Sequence, residues 1–203
     1  MNAGSKYVLF WMNVKLTKVG YDNLNKDEHY IFFSNHQSFL DILTYDILLK
    51  DFPRGSLYKK EHENNAFLSG FAKGLGGVGI DRYNPKKARQ NIEEAINEVK
   101  KGRNFMIYPE GTRSRDGKVH KYHPGCFRIG MESNEKIVIT VIDGLYHWYN
   151  YIPLIPKHFY SEVLEIIDKE EYSKYTTVDF AKTIEEKVNK RIIELRNTYK
   201  YLK

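Results

Sequence analysis

The sequence predicts a single α/β domain built on one mixed, mostly parallel sheet layered with helices. Three observations predict it. Short apolar runs at 30–33 (YIFF), 104–108 (NFMIY) and 137–142 (IVITVI) are rich in aromatic and β-branched residues and bounded by polar or turn-forming ones, which marks buried strands. Segments with apolar residues at helical spacing lie between them. Strand and helix signals alternate along the chain, the pattern of a sheet covered by helices. A length of 203 residues suits one domain with a substantial core, so residues 1–203 are taken as one unit.

In chain order, residues 7–12 (YVLFWM) are too short to span a bilayer and lack a signal-peptide cleavage pattern. With Phe10 and Trp11 they suit either a membrane-interface segment over 1–13 or a core-facing first element. Val14–Val19 alternates apolar and polar and reads as a half-buried strand. The 30–33 strand runs into SNHQSFLD at 34–41, and a helix is expected over 39–49. Pro53 and Gly55 break it, and a short strand is expected at 56–59. Phe67, Leu68, Phe71 and Leu75 give 64–75 a helical stripe, and Gly76, Gly77 and Gly79 then mark a tight passage before Ile80, Asp81 and Arg82. Asn84 is placed to cap, and Pro85 to open, a helix through Lys100 that Gly102 ends. After the 104–108 strand, a short helix is expected at 127–132 and a strand at 137–142. Residues 145–156 read as a loop, and 159–167 as a late strand suited to a sheet edge. A long amphipathic helix, rich in charge pairs, is expected from Thr177 to Leu202 within the C-terminal segment 177–203.

Composition narrows the function. A net charge of +6 points to an anionic partner such as phosphate or an acidic membrane surface. The basic residues are dispersed and no nucleic-acid recognition motif occurs, so a nucleic-acid partner is not expected. The lone Cys126 excludes an internal disulfide and a cysteine-rich metal site. His62 stands between two glutamates and His120 and His123 are three apart, but neither group has further ligands at a supporting spacing, so no metal is expected. No G-x-S-x-G elbow and no phosphate-binding P-loop is present.

The chemistry-bearing residues sit where strands end. His36 and Asp41 are five apart and would face away from each other in one continuous helix. A chain turn at Ser38, acting as helix cap with Asp41 in the capping-box position, folds the histidine back toward the carboxylate. An Asp bonded to one imidazole nitrogen leaves the other as a base. On its own the pair reads first as a plain helix cap beside a loop histidine. Arg82, following a glycine-rich turn, suits bidentate phosphate binding or a surface ion pair. Pro109 to Arg115 reads as an anion cradle: Gly111 admits backbone amides, Thr112 offers a hydroxyl, and Arg113 and Arg115 add charge. Glu110 is placed to orient Arg82 or Arg113, or to bind a substrate hydroxyl. If their strands are neighbours, these groups converge on one rim.

Assembled, these residues make the chain resemble the glycerolipid acyltransferases, in particular the 1-acylglycerol-3-phosphate acyltransferases, from about Val14 to Ile167. The family's N-H-x-x-x-x-D block stands at 35–41, its I-D-R block ends at Arg82, and its F/Y-P-E-G-T-R-S block stands at 108–114. Two departures are visible: Gly79 stands where the second block usually has a bulky residue, and the apolar stretch at 137–142 lacks the fourth block's proline. The resemblance implies an O-acyltransferase moving a fatty acyl group from acyl-CoA or acyl-carrier protein to the sn-2 hydroxyl of lysophosphatidic acid. His36 and Asp41 would be catalytic, and Arg82, Glu110, Gly111, Thr112 and Arg113 would bind substrate. It implies no cofactor beyond the acyl donor as co-substrate. It also implies a peripheral site on the cytoplasmic face of an anionic membrane, or attachment by an anchor absent from this chain. The alternatives are another lysolipid acceptor, or a non-catalytic module for anionic lipid or phosphate.

Overall fold

The structure, a computed structural model, describes residues 2–61, 70, 73–74, 76–144, 146 and 157–202. The expected helix over 64–75 and loop over 145–156 fall mainly outside the described residues, as does His62. The described elements are α1 (Asn2–Trp11), β1 (Val14–Val19), β2 (Tyr30–Ser34), α2 (Leu40–Leu48), β3 (Arg54–Lys59), β4 (Val78–Ile80), α3 (Pro85–Lys100), β5 (Asn104–Ile107), α4 (Arg128–Ser133), β6 (Lys136–Asp143), β7 (Lys157–Ile167), α5 (Lys169–Tyr172) and α6 (Thr177–Thr198).

Seven strands form one mixed sheet in the order β1-β7-β6-β2-β5-β3-β4. Every pairing is parallel except β6 with β7. The mutually parallel strands β6, β2, β5, β3 and the edge strand β4 therefore all end on the same rim, where α/β sheets carry their sites. β7 was expected at an edge and instead lies inside the sheet, between β1 and β6. Its alternating pattern reflects partial burial beneath helix α6, whose Lys187 and Arg191 pair with Glu165 and Glu162 on this strand.

Alternation along the strands divides the core in two. Ile31, Phe33, Phe105, Ile107, Ile137, Ile139 and Val141 face one side, where Ile92, Ala95, Ile96 and Val99 of α3 and Ile184, Val188 and Ile192 of α6 cover them. Tyr30, Phe32, Met106, Val138 and Ile142 face the other, against Leu9 of α1 and Leu40 and Tyr45 of α2. This is the period-two geometry of a strand buried on both faces. Phe127 is fully buried, stacked on Phe33 with centroids 4.4 Å apart and edge-on to Phe180. Burial of each such ring contributes about 1.5–3 kcal/mol.

Local signals set the helix ends. Asn84 accepts a hydrogen bond from the Lys87 amide at 3.1 Å, and Pro85 opens α3. Gly102 adopts φ +81°, the left-handed conformation that closes a helix. Helix α6 stops at Thr198, short of the expected Leu202, because the chain turns at Tyr199 to bury Leu202 in a short 3-10 turn.

Helix α1 splits the two expectations for the N-terminus. Leu9 and Ser5 face inward, and Ser5 Oγ donates to Asp46 of α2 at 2.6 Å. Tyr7, Phe10 and Trp11 face outward and are 64%, 77% and 64% exposed. Among the described residues no helix is long and apolar enough to cross a membrane.

Candidate active site

β2 ends at Ser34, and the chain then enters the rim. Asn35 anchors it there by a two-way amide pairing: its Nδ2 donates to Ile142 O and its Oδ1 accepts from Ile142 N, both at 2.9 Å. This continues the β2–β6 pairing by side chain and delivers His36 to the sheet's end. The His36 ring stacks on Tyr108, centroids 4.1 Å apart.

The turn expected between His36 and Asp41 is present. His36 Nδ1 lies 2.8 Å from Asp41 Oδ2. The same oxygen accepts from the amides of Gln37 at 2.6 Å and Ser38 at 2.8 Å. Asp41 is fully buried, so its charge is compensated by these donors. The capping box is realised in altered form. Asp41 reaches back to the Ser38 amide as a box requires, but Ser38 Oγ accepts from Leu40 N at 2.9 Å and the helix begins at Leu40. The cause is that one oxygen of Asp41 gathers three donors, which draws the turn tight ahead of the first helical residue. With Nδ1 held by a carboxylate, an imidazole carries its remaining lone pair at Nε2, and His36 Nε2 makes no hydrogen bond among the described residues.

Glu110 follows β5, the neighbour of β2. It was expected to orient Arg82 or Arg113 or to bind a substrate hydroxyl, and in the structure its oxygens accept from backbone amides instead. Oε1 accepts from His36 N at 2.8 Å and Oε2 from His120 N at 2.9 Å. Only 3% of the residue is exposed, and burial pushes its carboxyl up to about 7. Glu110 thus ties the His36 turn to the 110–123 loop from beneath. Ser114 N donates to His36 O at 2.7 Å and adds a second tie.

Gly111 has φ +68°, and its own N–H is spent on Tyr108 O at 2.9 Å, so this amide is not free to line an anion cradle as expected. Its carbonyl accepts from Arg82 Nη1, which brings the end of β4 to the end of β5 as the convergence argument required. A side chain at Gly111 would crowd the Arg82 guanidinium and the His123 ring. Thr112, Arg113 and Arg115 are exposed on the outer face of the loop. The cationic face of the rim is therefore Arg82 with the exposed Thr112, Arg113 and Arg115, and the buried Ser114 between them ties this turn to His36. Among the described residues no group of His, Cys, Asp and Glu is arranged to hold a metal.

Sequence reasoning missed three supporting residues, Gln37, Asp143 and Arg196. Asp143 closes β6 fully buried, bonded to Gln37 Nε2 at 2.8 Å and to the fork of Arg196. Its signal was legible: a carboxylate directly after six residues of buried strand has no solvent to face.

The comparisons with known proteins agree with this fold. A family model described as Acyltransferase matches residues 15–156. A chloroplastic 1-acyl-sn-glycerol-3-phosphate acyltransferase of Brassica napus is 32% identical over 62% of the chain and 36% of its own length. The 1-acyl-sn-glycerol-3-phosphate acyltransferase of Escherichia coli is 27% identical over 81% of the chain and 67% of its own length. The crystal structure of the 1-acyl-sn-glycerophosphate acyltransferase PlsC from Thermotoga maritima superposes with a TM-score of 0.79 at 26% identity, covering 96% of this chain and 78% of that one. The chain spans only 36% and 38% of the lengths of its Brassica and Arabidopsis relatives. With the matched segment covering well over half of the sequence and the fold agreeing, the chain belongs to the glycerolipid acyltransferase family.

Proposed function

We propose that the protein is a 1-acylglycerol-3-phosphate O-acyltransferase that uses His36 as its general base. The observation that carries this is the 2.8 Å contact between His36 Nδ1 and the buried Asp41 carboxylate, in a chain whose relatives bear that activity in their names.

His36 Nε2 takes the proton of the acceptor's sn-2 hydroxyl as its oxygen attacks the thioester carbonyl of acyl-CoA or acyl-carrier protein. The new C–O bond forms and the C–S bond breaks. The departing thiolate then receives the proton that His36 had taken. Asp41 holds the ring's orientation and stabilises the imidazolium formed in between. Arg82, Arg113 and Thr112 hold the acceptor's phosphate at the cationic face of the rim, and Gly111 serves them by placing Arg82 through its carbonyl. Glu110 positions the acceptor indirectly, by fixing the backbone of His36 against the loop that carries those groups. General-base assistance supplies ~10²–10⁴-fold, and holding two substrates in register supplies much of the rest.

The same reading places the protein on an anionic membrane surface. Phe10, Trp11 and Tyr7 of α1, with Phe39 and Ile42 beside the site, are exposed apolar side chains, and the net charge is positive.

The test is free-thiol release from palmitoyl-CoA and from palmitoyl-carrier protein, with lysophosphatidate as acceptor and the purified chain as catalyst. Turnover by the wild type and none by His36→Ala is expected. Near-wild-type turnover by His36→Ala would remove the base. Vesicle binding with no thiol release by the wild type would instead favour a non-catalytic lipid-binding module.

A further inference from the structure

We propose that the Arg196–Asp143 ion pair, acting through the Gln37 side chain, sets the position of the His36 turn, so that the C-terminal helix α6 is a working part of the site. The inference rests on the reading of His36 as base but is testable apart from it.

Arg196 lies in the last turns of α6, beyond the segment that the family model matches. Its guanidinium grips Asp143 with two bonds, Nε to Oδ2 and Nη2 to Oδ1, each 2.7 Å. Asp143 is fully buried. Taking two charges out of water is costly, and such a pair is a poor source of net stability compared with apolar packing. What this pair does provide is direction: a planar fork meeting a carboxylate fixes the carboxylate plane. The third donor on that carboxylate is Gln37 Nε2, 2.8 Å from Oδ1. A carboxylate only accepts, so the amide must turn its NH2 toward Asp143. The opposite atom, Gln37 Oε1, is then buried without a hydrogen-bond partner among the described residues. Buried polar atoms are nearly always paired, and the bond to Asp143 is the side-chain contact that orients this amide.

Gln37 directly follows His36. Its backbone amide gives the 2.6 Å bond to Asp41 Oδ2, the oxygen that also holds the His36 ring. The side chain of Gln37 is thus fixed by α6 and β6 while its backbone completes the dyad. A second route supports the first. Arg196 Nη2 also donates to Gly117 O at 2.7 Å, and that loop returns Ser114 N to His36 O and His120 N to Glu110. Glu185, also on α6, accepts from Tyr122 N at 2.6 Å and holds the loop's far end. Arg196 therefore touches both chain segments that locate His36 without touching His36 itself, which makes it, Asp143 and Gln37 positioning residues.

The test is a double-mutant cycle between Arg196→Lys, which keeps the charge and loses the fork, and Gln37→Met, which keeps the shape and the ion pair but cuts the link. Displacement of a base by a fraction of an ångström costs about ten- to a hundredfold. Each single variant should lower kcat for thiol release by about tenfold while KM for lysophosphatidate stays within about threefold. The double variant should be no slower than the slower single one, because the Gln37 link is one of the contacts that Arg196 already governs. Unchanged kcat in Gln37→Met, or losses that multiply in the double variant, would overturn the proposal. Gln37→Met keeps the question decidable if Arg196→Lys folds poorly. Amide hydrogen exchange of Gln37 and Ser38, measured without substrate, should quicken in both single variants. If exchange there is unchanged, the linkage is wrong whatever the turnover. If exchange quickens but the wild type releases no thiol, the linkage stands and the reading of His36 as an acyl-transfer base falls.

Discussion

Replacing Asp41 by Asn tests the centre of the site at the smallest change in shape. The amide oxygen of Asn can still accept from the Gln37 and Ser38 amides and from His36 Nδ1, as the carboxylate does now. What is lost is a unit of negative charge facing the ring. That charge stabilises the ring as it gains the acceptor's proton in the transition state, and its loss should lower kcat by ~10²–10⁴-fold. The two amide bonds also change from charge-assisted to neutral, a loss of about 2–3 kcal/mol in stability and some 5–10 °C in Tm for a chain of this size. Thiol-release kcat with saturating palmitoyl-CoA and lysophosphatidate is the assay, with thermal unfolding as the control. A folded Asp41→Asn protein whose kcat falls by less than about tenfold would refute the claim that the carboxylate stabilises a cationic ring during turnover.

Glu110 makes stability depend on pH. Its carboxyl is raised from 4.5 to about 7 by burial, so the folded state holds a proton that the unfolded state has lost. The associated stabilisation is complete below about 4.5 and fades as pH rises through about 7, by at most about 3 kcal/mol. Urea unfolding of wild type and Glu110→Gln at several pH values in that window checks it, and equal slopes for the two proteins would contradict it. Gly144 sits at φ +110°, where an added Cβ would collide with the carbonyl oxygen of His158. Gly144→Ala should therefore lose roughly 2 kcal/mol or more in chemical denaturation. Phe10→Ser with Trp11→Ser removes two large exposed apolar groups of α1. At about 1.5–3 kcal/mol for each ring transferred into an interface, co-sedimentation with anionic vesicles should weaken by at least about a hundredfold, while thiol release from soluble short-chain substrates persists. Equal sedimentation of the variant would remove α1 as the docking element.

Much of the architecture was legible in advance because it rests on short-range rules. β1 and α3 begin and end where alternation, Asn84, Pro85 and Gly102 place them, since periodicity and capping act within a turn or two of the chain. The His36–Asp41 contact was readable for the same reason: five residues and one turn decide it. Contacts between distant residues had no such local mark. β7 entered the sheet beside β6 rather than lying at its edge, because the space between β6 and β1 was settled by the packing of strands far apart in the chain. Glu110 was legible as a residue of consequence but not in its bonding, since its partners His36 N and His120 N are backbone groups that any residue could supply. Arg196 and Asp143 stand 53 positions apart, and each in its own neighbourhood is one more charge on a helix or at a strand's end. Residue types and their spacing were enough to foresee the His36–Asp41 contact and the sheet that presents it. Three-dimensional closure chose which buried charges would hold that dyad in place, because burial leaves a charge only those partners that the folded chain carries to it.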